Sequence, residues 1–193
     1  MSDSPPRTEP EPGGPAGLSD ASALCVSCGM CCNGVLFTNA RAEPGEVPRL
    51  RDLGLEVEQV RGDRLQFRLP CPHHDDGHCG IYSDRFLKCR TFRCALLKRL
   101  DSGETSLAEA QGAVAQAKAM LARVTALDPA AGQFRARVDQ RAAPPPEEGG
   151  DVALRRRVLI ESLALDLFLD RKFRNRKAID MQHSPGKPAQ EER

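Results

Sequence analysis

The cysteines limit the fold of this chain more than any other feature, because all eight lie between positions 25 and 94. They are Cys25, Cys28, Cys31 and Cys32 in one compact cluster, followed by Cys71, Cys79, Cys89 and Cys94. Cysteine is concentrated in this way in disulfide frameworks and in metal sites. The adjacent Cys31-Cys32 pair and an N-terminus without a basic, apolar leader favour metal ligands in a reducing compartment.

The rest of the composition argues against several classes of protein. The net charge of +1 gives no general attraction to nucleic acids or membranes. No stretch approaches the roughly 18 apolar residues that a membrane span needs. We therefore expect a cytoplasmic protein with reduced thiols, without a membrane partner, and we do not expect nucleic acid among its main partners.

Shifts in composition divide the chain into segments. Residues 1–20 contain five prolines and few apolar residues, which is typical of disorder. The predicted organisation is a disordered tail (1–20), a cysteine-cluster metal-binding domain (21–101), an amphipathic helix with an extension (102–142), a Pro/Gly linker (143–150), a basic amphipathic helix (151–178) and a second disordered tail (179–193). The predicted fold class is α+β, mainly α, with a small cysteine-rich domain that contains a β-hairpin and two longer helices after it.

Short patterns predict the elements of the cysteine domain. Residues 35–38 read as a β-type run, and Pro44-Gly45-Glu46 opens a helical turn that continues to Arg51. Residues 55–60 and 65–69 alternate between apolar and polar on either side of a glycine turn, which predicts a hairpin. From Ser83 the pattern becomes helical and ends at Ser102-Gly103.

Two long helices are predicted after the cysteine domain. Ser106 and Glu109 form a capping box, and apolar residues then recur at spacings of three and four as far as Asp128-Pro129. The second helix runs from about Val152 to Phe173, and the two helices pack on each other or on the cysteine domain. Its basic residues fit either a solvated face or a phosphate-contacting patch. They are Arg155, Arg156, Arg157, Arg171, Lys172, Arg174, Arg176 and Lys177. The solvated face is favoured because no aromatic residue is placed to stack on a base.

The spacing of the first cluster suits metal ligation but leaves the number of sites open. In a helix, Cys25, Cys28 and Cys32 would share one face with Cys31 at its edge, whereas Gly29 and Asn33-Gly34 equally allow a tight ligand loop. Adjacent side chains diverge in most backbone conformations. One of Cys31 and Cys32 therefore serves a different metal or packs as a small apolar residue. The eight thiols make either two four-ligand sites or one site with spare thiols.

Two metal identities fit these thiols. Tetrahedral zinc takes four cysteines or a mixed set with histidine, and iron–sulfur clusters take four thiolates, with a distant Cys-Pro such as Cys71-Pro72 in ferredoxin-type ligation. The loop between Cys71 and Cys79 contains three histidines, of which His78 is the leading candidate ligand, with His73 and His74 as the others. The same stretch also fits a polar loop that turns at Asp75-Asp76-Gly77.

The surroundings of the cysteines supply charge but no recognisable catalytic site. Arg85, Lys88, Arg90 and Arg93 are close enough in sequence to balance a negative metal centre, and each also fits ordinary surface charge. No nucleophile signature surrounds any cysteine, and there is no glycine-rich phosphate loop or serine elbow. Whether the protein is an enzyme is left open.

Taken together, the motifs resemble a known family. The pattern is Cys25-x-x-Cys28-Gly29-x-Cys31-Cys32, Cys71-Pro72 and Cys79-Gly80-Ile81-Tyr82-x-x-Arg85-x-x-x-Cys89-Arg90-x-Phe92-x-Cys94. It resembles the YkgJ-type cysteine-cluster family of zinc- or iron-chelating domains over about residues 24–98. The resemblance implies that all eight cysteines are candidate ligands and that Tyr82, Arg85, Arg90 and Phe92 support them. Phe86 departs from the family, which usually has proline there, and we expect this to alter a helix start.

The hypotheses follow from this resemblance and from the thiols. The first is a binding module in which zinc or iron closes a small domain, so that chelation unfolds residues 24–98 and largely spares the later helices. The second is an iron–sulfur-dependent redox or enzyme-accessory protein, since the family includes domains joined to protein-modifying enzymes such as flagellin lysine methylases. The third is a nucleic-acid-associated zinc protein. A protein partner at the C-terminal helices is also expected.

Overall fold

The computed structural model describes residues 19–60, 62–75, 77–144 and 151–174. The predicted tails and the predicted linker lie mostly outside these ranges. So do Asp76 and two of the basic residues predicted for the last helix, Arg176 and Lys177.

Helices dominate the described residues, and a small antiparallel sheet accompanies them, which confirms an α+β fold that is mainly α. The helices are α1 (Asp20–Cys28), α2 (Val47–Asp52), α3 (Leu87–Thr91), α4 (Ala95–Asp101), α5 (Leu107–Leu127), α6 (Phe134–Ala142) and α7 (Val152–Lys172). Short 3-10 turns occupy Pro44–Glu46 and Pro129–Gly132. The strands are β1 (Asn39–Ala42), β2 (Val57–Gln59), β3 (Leu65–Arg68), β4 (His74–Asp75) and β5 (His78–Cys79).

The predicted hairpin is present as β2 and β3, with Val57 opposite Phe67. β1 pairs with the other edge of β3, so the three-stranded order is β1-β3-β2. The β-type run at residues 35–38 is not a strand, and that prediction is wrong. Val35 and Leu36 are apolar because they are buried in the core, and the strand begins only at Asn39.

The two long helices are also confirmed. Ser106 accepts from the Glu109 N–H at 3.2 Å while the Glu109 carboxylate accepts from the Ser106 N–H at 2.8 Å, which completes the capping box at the start of α5. α7 begins at Val152 as predicted and packs along α5. α6 was not predicted as a helix.

The described residues have two hydrophobic cores. The larger core joins α1, α4, α5 and α7, and it also takes in Met30, Val35 and Leu36 from the loop after α1. The smaller core lies under the three-stranded sheet and consists of Ala42, Leu50, Leu55, Phe67 and Phe86. Since a core of five side chains contributes little on its own, this part of the fold needs a further source of stability.

Buried charges connect the later helices to the loop that follows the cysteine cluster. Arg137 on α6 is fully buried, pairs with Asp166 on α7 at 2.9 Å and donates to the Val35 carbonyl at 2.7 Å. Arg174 is only 4% exposed, and it pairs with the same carboxylate at 3.2 Å and donates to the Leu36 carbonyl. The interpretation of the basic run as a solvated face or a phosphate patch is therefore wrong for Arg174.

None of the helices in the described ranges is long and apolar enough to cross a membrane.

Candidate metal centre

The first two cysteines lie on a helix and the next two on a tight turn, so both predicted conformations of the cluster occur. α1 carries Cys25 and Cys28, and it ends at Gly29, whose φ of 66° is in the left-handed region that favours glycine. The chain then folds back on itself, with the Asn33 N–H donating to the Gly29 carbonyl at 2.9 Å. Cys31 and Cys32 are held within this turn.

Cys94 approaches the first cluster from the start of α4. It is the N-cap residue of that helix, and its sulfur accepts from the Leu97 N–H at 3.5 Å. Donors at a helix N-terminus favour the thiolate form of a cysteine. Cys94 lines one pocket together with all four cysteines of the first cluster. The other walls of this pocket are mostly apolar: Leu24, Gly29, Met30, Leu36, Phe92, Leu96, Leu97, Val114 and Phe173.

The remaining cysteines meet on the other side of the turn. The Cys71 N–H donates to the Cys32 carbonyl at 2.7 Å, which fixes the start of the second cysteine segment against the first. The two-residue strands β4 and β5 pair His74 with Cys79. Cys89 lies on α3, and Cys71 and Cys89 both pack against the smaller core.

Burial raises the pKa of most of these thiols. The pKa of Cys28 and of Cys32 is raised to about 12, and that of Cys89 to about 11. Burial also raises the pKa of Cys25, Cys31, Cys71 and Cys94. These thiols are therefore protonated at neutral pH unless a cation is bound, and a metal ion that binds them must displace their protons.

The thiols differ in which neighbours add to this effect. Burial has the largest effect on the pKa of Cys31. The pKa is raised further by four neighbouring thiols, which are, from the largest effect to the smallest, Cys94, Cys28, Cys25 and Cys32. For Cys32 the further causes are Cys89, Cys25, Cys71 and Cys79. For Cys89 they are Cys71 and Cys79, together with Glu46. Cys31 therefore has the first-cluster thiols and Cys94 as neighbours, whereas Cys32 has three neighbours from the second cysteine segment.

No three side chains of cysteine, histidine, aspartate or glutamate within the described ranges stand together at the spacing of a metal site. The eight thiols are all free, so disulfide bonds do not occupy them. They lie on segments that converge, and their chemistry fits zinc or iron, which both accept thiolate ligands.

Positive side chains lie close to the thiols. Arg85 covers the Tyr82 ring at 3.7 Å and donates to the Tyr82 carbonyl at 3.1 Å. Although burial dominates the pKa of Cys25 and of Cys89, the Arg85 charge lowers both. Arg93 acts in the same direction on Cys25.

The other residues predicted to support the site divide into two groups. Phe92 lines the thiol pocket and packs edge-to-face on Phe37, with ring centroids 5.5 Å apart. Arg90 is exposed at the end of α3, as expected of ordinary surface charge. Phe86 is the N-cap residue of α3 and belongs to the smaller core, so the departure from the family pattern does fall at a helix start.

Sequence reasoning missed Lys118. Its ammonium group donates to the Ser27 carbonyl at 2.7 Å and lowers the pKa of Cys28, against the larger effect of burial. Lys118 lies on the surface of α5, 91 residues from Ser27. No signal in the sequence could have connected the two.

The three histidines have different surroundings. His73 Nε2 lies 2.9 Å from the Leu53 carbonyl, and His78 is exposed. The ring of His74 rests against Gly29 and lines a cleft with Cys28. His74 is therefore closer to the first cluster than His78, the histidine favoured from the sequence.

We expect Gly29→Ala to cost about 1–3 kcal/mol more in unfolding free energy than Gly54→Ala, because a Cβ at Gly29 would overlap the His74 ring. Gly54 is a matched control: its φ is 74° against 66° at Gly29, and nothing lies within 4 Å of the point that a Cβ would occupy there. Both variants carry the strain of alanine at positive φ, so the difference isolates the contact. Urea denaturation of the metal-loaded variants measures it, and equal costs would contradict the contact.

Comparison with known proteins identifies one family. Residues 24–116 match the family described as "CxxCxxCC: Putative zinc- or iron-chelating domain". No curated protein and no solved structure matches the chain. The match extends beyond the predicted residue 98 into α5, the helix that carries Lys118. Residues 24–116, just under half of the chain, are therefore similar to the CxxCxxCC family of zinc- or iron-chelating domains.

Proposed function

We propose that this protein binds zinc or iron through its cysteine thiolates, with all eight as candidate ligands. They are Cys25, Cys28, Cys31, Cys32, Cys71, Cys79, Cys89 and Cys94. The observation that carries the proposal is the convergence of eight free cysteines from α1, its following turn, the loop before β4, β5, α3 and the start of α4. Burial keeps these thiols protonated, so a metal ion that binds them must displace their protons.

The metal serves to close the part of the fold that has a small core. The segments with Cys71, Cys79 and Cys89 border the smaller core, and a shared metal would tie them to the turn after α1. The alternative is an iron–sulfur cluster in a redox or enzyme-accessory protein. The same donor set suits that cluster, so the choice depends on the metal content.

Three further expectations stay predictions. The exposed apolar residues Ile160, Leu163 and Leu167 on α7 offer a surface where a protein partner could be sought. A nucleic-acid-associated zinc protein has less support, because Arg174 is committed to buried ion pairs. The cytoplasmic location is likewise a prediction from the chemistry of reduced thiols.

Anaerobic purification of the full chain, followed by zinc, iron and acid-labile sulfide analysis and a visible spectrum, tests the proposal. We expect stoichiometric metal, and a brown protein with sulfide would identify the iron–sulfur alternative. Cys28→Ser is expected to lower the metal content, whereas Ser27→Ala next to it, on the exposed side of α1, is expected to leave it unchanged. A chain without stoichiometric zinc or iron, both as purified and after anaerobic reconstitution, would overturn metal binding.

A further inference from the structure

We propose that the eight cysteines form two separate four-thiolate metal centres and that the adjacent Cys31 and Cys32 are divided between them. The first centre consists of Cys25, Cys28, Cys31 and Cys94, and the second of Cys32, Cys71, Cys79 and Cys89. This inference rests on the proposed function, which requires only that thiolates bind zinc or iron.

The first centre lies at the edge of the larger core. Its four cysteines all pack against that core and line one pocket. α1 supplies two of them one helical turn apart, the following turn supplies Cys31, and α4 supplies Cys94 at its N-terminus. The first turn of α4 positions the Cys94 side chain, because the Leu97 N–H donates to the Cys94 sulfur at 3.5 Å.

The second centre lies on the side of the smaller core. Cys71 and Cys89 pack against that core, and the paired strands β4 and β5 present Cys79 next to them. The loop around Cys79 is held by backbone hydrogen bonds from the Gly80 N–H to the His73 carbonyl at 2.9 Å and from the Tyr82 N–H to the Cys79 carbonyl at 3.1 Å. These backbone contacts bring the segment that follows Cys71 back against the residues around Cys79.

Cys32 completes the second centre. The Cys71 N–H donates to its carbonyl, and the thiols that raise its pKa beyond the effect of burial are Cys89, Cys25, Cys71 and Cys79, three of them from the second set. Burial has the largest effect on the pKa of Cys31, and Cys94, Cys28 and Cys25 of the first set then raise it more than the adjacent Cys32 does. Cys32 also lines the pocket of the first centre, so the two centres meet at this pair. Adjacent side chains that diverge can serve two metals but are poorly placed to serve one.

The positions of the positively charged side chains near the thiols agree with two separate metal centres. A divalent metal with four thiolates carries a charge of about −2, which nearby cations must offset. The Lys118 charge lowers the pKa of Cys28 and the Arg93 charge lowers that of Cys25, both thiols of the first set, against the larger effect of burial. Arg85 acts on both Cys25 and Cys89, one thiol from each set, and therefore lies between the two centres.

Zinc stoichiometry and cadmium-113 NMR of the full wild-type chain test the number of centres without any substitution. After anaerobic removal of metal and titration with zinc, we expect two equivalents to bind per chain. With cadmium-113 in place of zinc, we expect two signals of equal area with no cadmium–cadmium coupling. One equivalent, a single signal, or two signals coupled through a shared sulfur would overturn separate centres.

Paired substitutions test how the thiols are divided. Cys28→Ser combined with Cys31→Ser removes two ligands of the first centre, and this variant is expected to retain one of two metal equivalents. Cys31→Ser combined with Cys32→Ser removes one ligand from each centre, and this variant is expected to retain less than one equivalent. Equal metal content in the two double variants would overturn the division.

The outcomes separate this inference from the proposed function. If the wild type binds no zinc, iron or cadmium at all, metal binding itself fails and the division fails with it. If the wild type binds one equivalent, metal binding stands and two centres are excluded. Circular dichroism of each double variant before titration checks that its helices have formed, and the wild-type cadmium signals decide the question when a variant does not fold.

Discussion

Asp166→Asn is expected to lower the free energy of unfolding by about 3–5 kcal/mol, because it leaves the buried Arg137 guanidinium without a negative partner and removes one of the two partners of the buried Arg174. The Asp166 carboxylate is buried and pairs with Arg137 at 2.9 Å and with Arg174 at 3.2 Å. Asparagine keeps the shape of the side chain, so the cost reflects the lost charge rather than a cavity. Urea denaturation at neutral pH, with metal bound, measures the change.

Asp170→Asn is the matched control for this prediction. Asp170 pairs with the same Arg174 from one turn further along α7, but its side chain is 38% exposed. Exposed pairs contribute little, so the control is expected to cost less than about 1 kcal/mol. Equal costs for the two variants would show that burial of the Asp166 network does not matter.

The Asp166 network is also expected to respond to acid. Burial opposes ionisation of Asp166, but the hydrogen bonds and charge of Arg137, with Arg141 and Arg174, outweigh it and hold its pKa below the usual value. A lowered pKa means that the stabilisation is complete above the unfolded-state value of about 3.9 and is lost as the pH falls through the folded-state value. The difference between wild type and Asp166→Asn should therefore persist at neutral pH and shrink only in strong acid.

This network matters for the cysteines because it anchors the turn that carries them. Four consecutive carbonyls after the cluster accept hydrogen bonds from later parts of the chain. Their donors are Gln133 for Asn33, Phe134 for Gly34, Arg137 for Val35 and Arg174 for Leu36. Asp166 holds two of these four donors in position. Loss of its charge is therefore transmitted to the backbone next to Cys31 and Cys32.

The helices and strands that can be predicted from the sequence are those whose sequence patterns are local. The capping box at Ser106 and the regular apolar spacing define α5 without reference to the rest of the chain. The hairpin of β2 and β3 follows in the same way from alternation on both sides of a turn at Gly62, whose φ is 63°. The strand prediction for residues 35–38 failed because their apolar, β-type side chains indicate burial, while the carbonyls of Val35 and Leu36 accept from arginine side chains instead of a neighbouring strand.

α6 was missed because its buried residue is a charged one. The helix Phe134–Ala142 is rich in charged residues, and the one it buries fully is Arg137. Arginine at a core position breaks the apolar periodicity by which an amphipathic helix is recognised. Its partners, Asp166 and Val35, are 29 and 102 residues away, so the reason for the burial is absent from the local sequence.

The cysteines of the candidate site could be recognised as a set from the sequence, whereas the division that we propose could not. Spacing identified the cysteines as a set, and the family match agrees with that chemistry. The division depends on the hydrogen bond between Cys71 and Cys32 and on the approach of Cys94 from α4, both of which are long-range. The adjacent pair Cys31-Cys32 looks symmetric in the sequence and becomes asymmetric only in the fold.

Metal removal is expected to unfold the sheet-bearing part of the domain and to spare α5 and α7. The smaller core beneath β1, β2 and β3 has only five buried side chains, and the second set of cysteines borders it. Structural zinc sites in small domains contribute folding free energy of order 10 kcal/mol, which far exceeds what such a core supplies. The larger core instead joins α5 and α7 through apolar contacts of their own, including Val114, Leu165 and Leu169.

Hydrogen–deuterium exchange of the full chain, metal-loaded and after treatment with a chelator, distinguishes these two parts. We expect amides of residues 39–69 to lose most of their protection and those of α5 and α7 to keep theirs, with zinc restoring the original pattern as the control. α1 and α4 also contribute Leu24, Leu96 and Leu97 to the larger core, so the boundary should fall inside the family domain rather than at its end. Uniform loss of protection that includes α5 and α7 would mean that one cooperative unit depends on the metal. Unchanged protection in residues 39–69 would mean that the smaller core is sufficient without it.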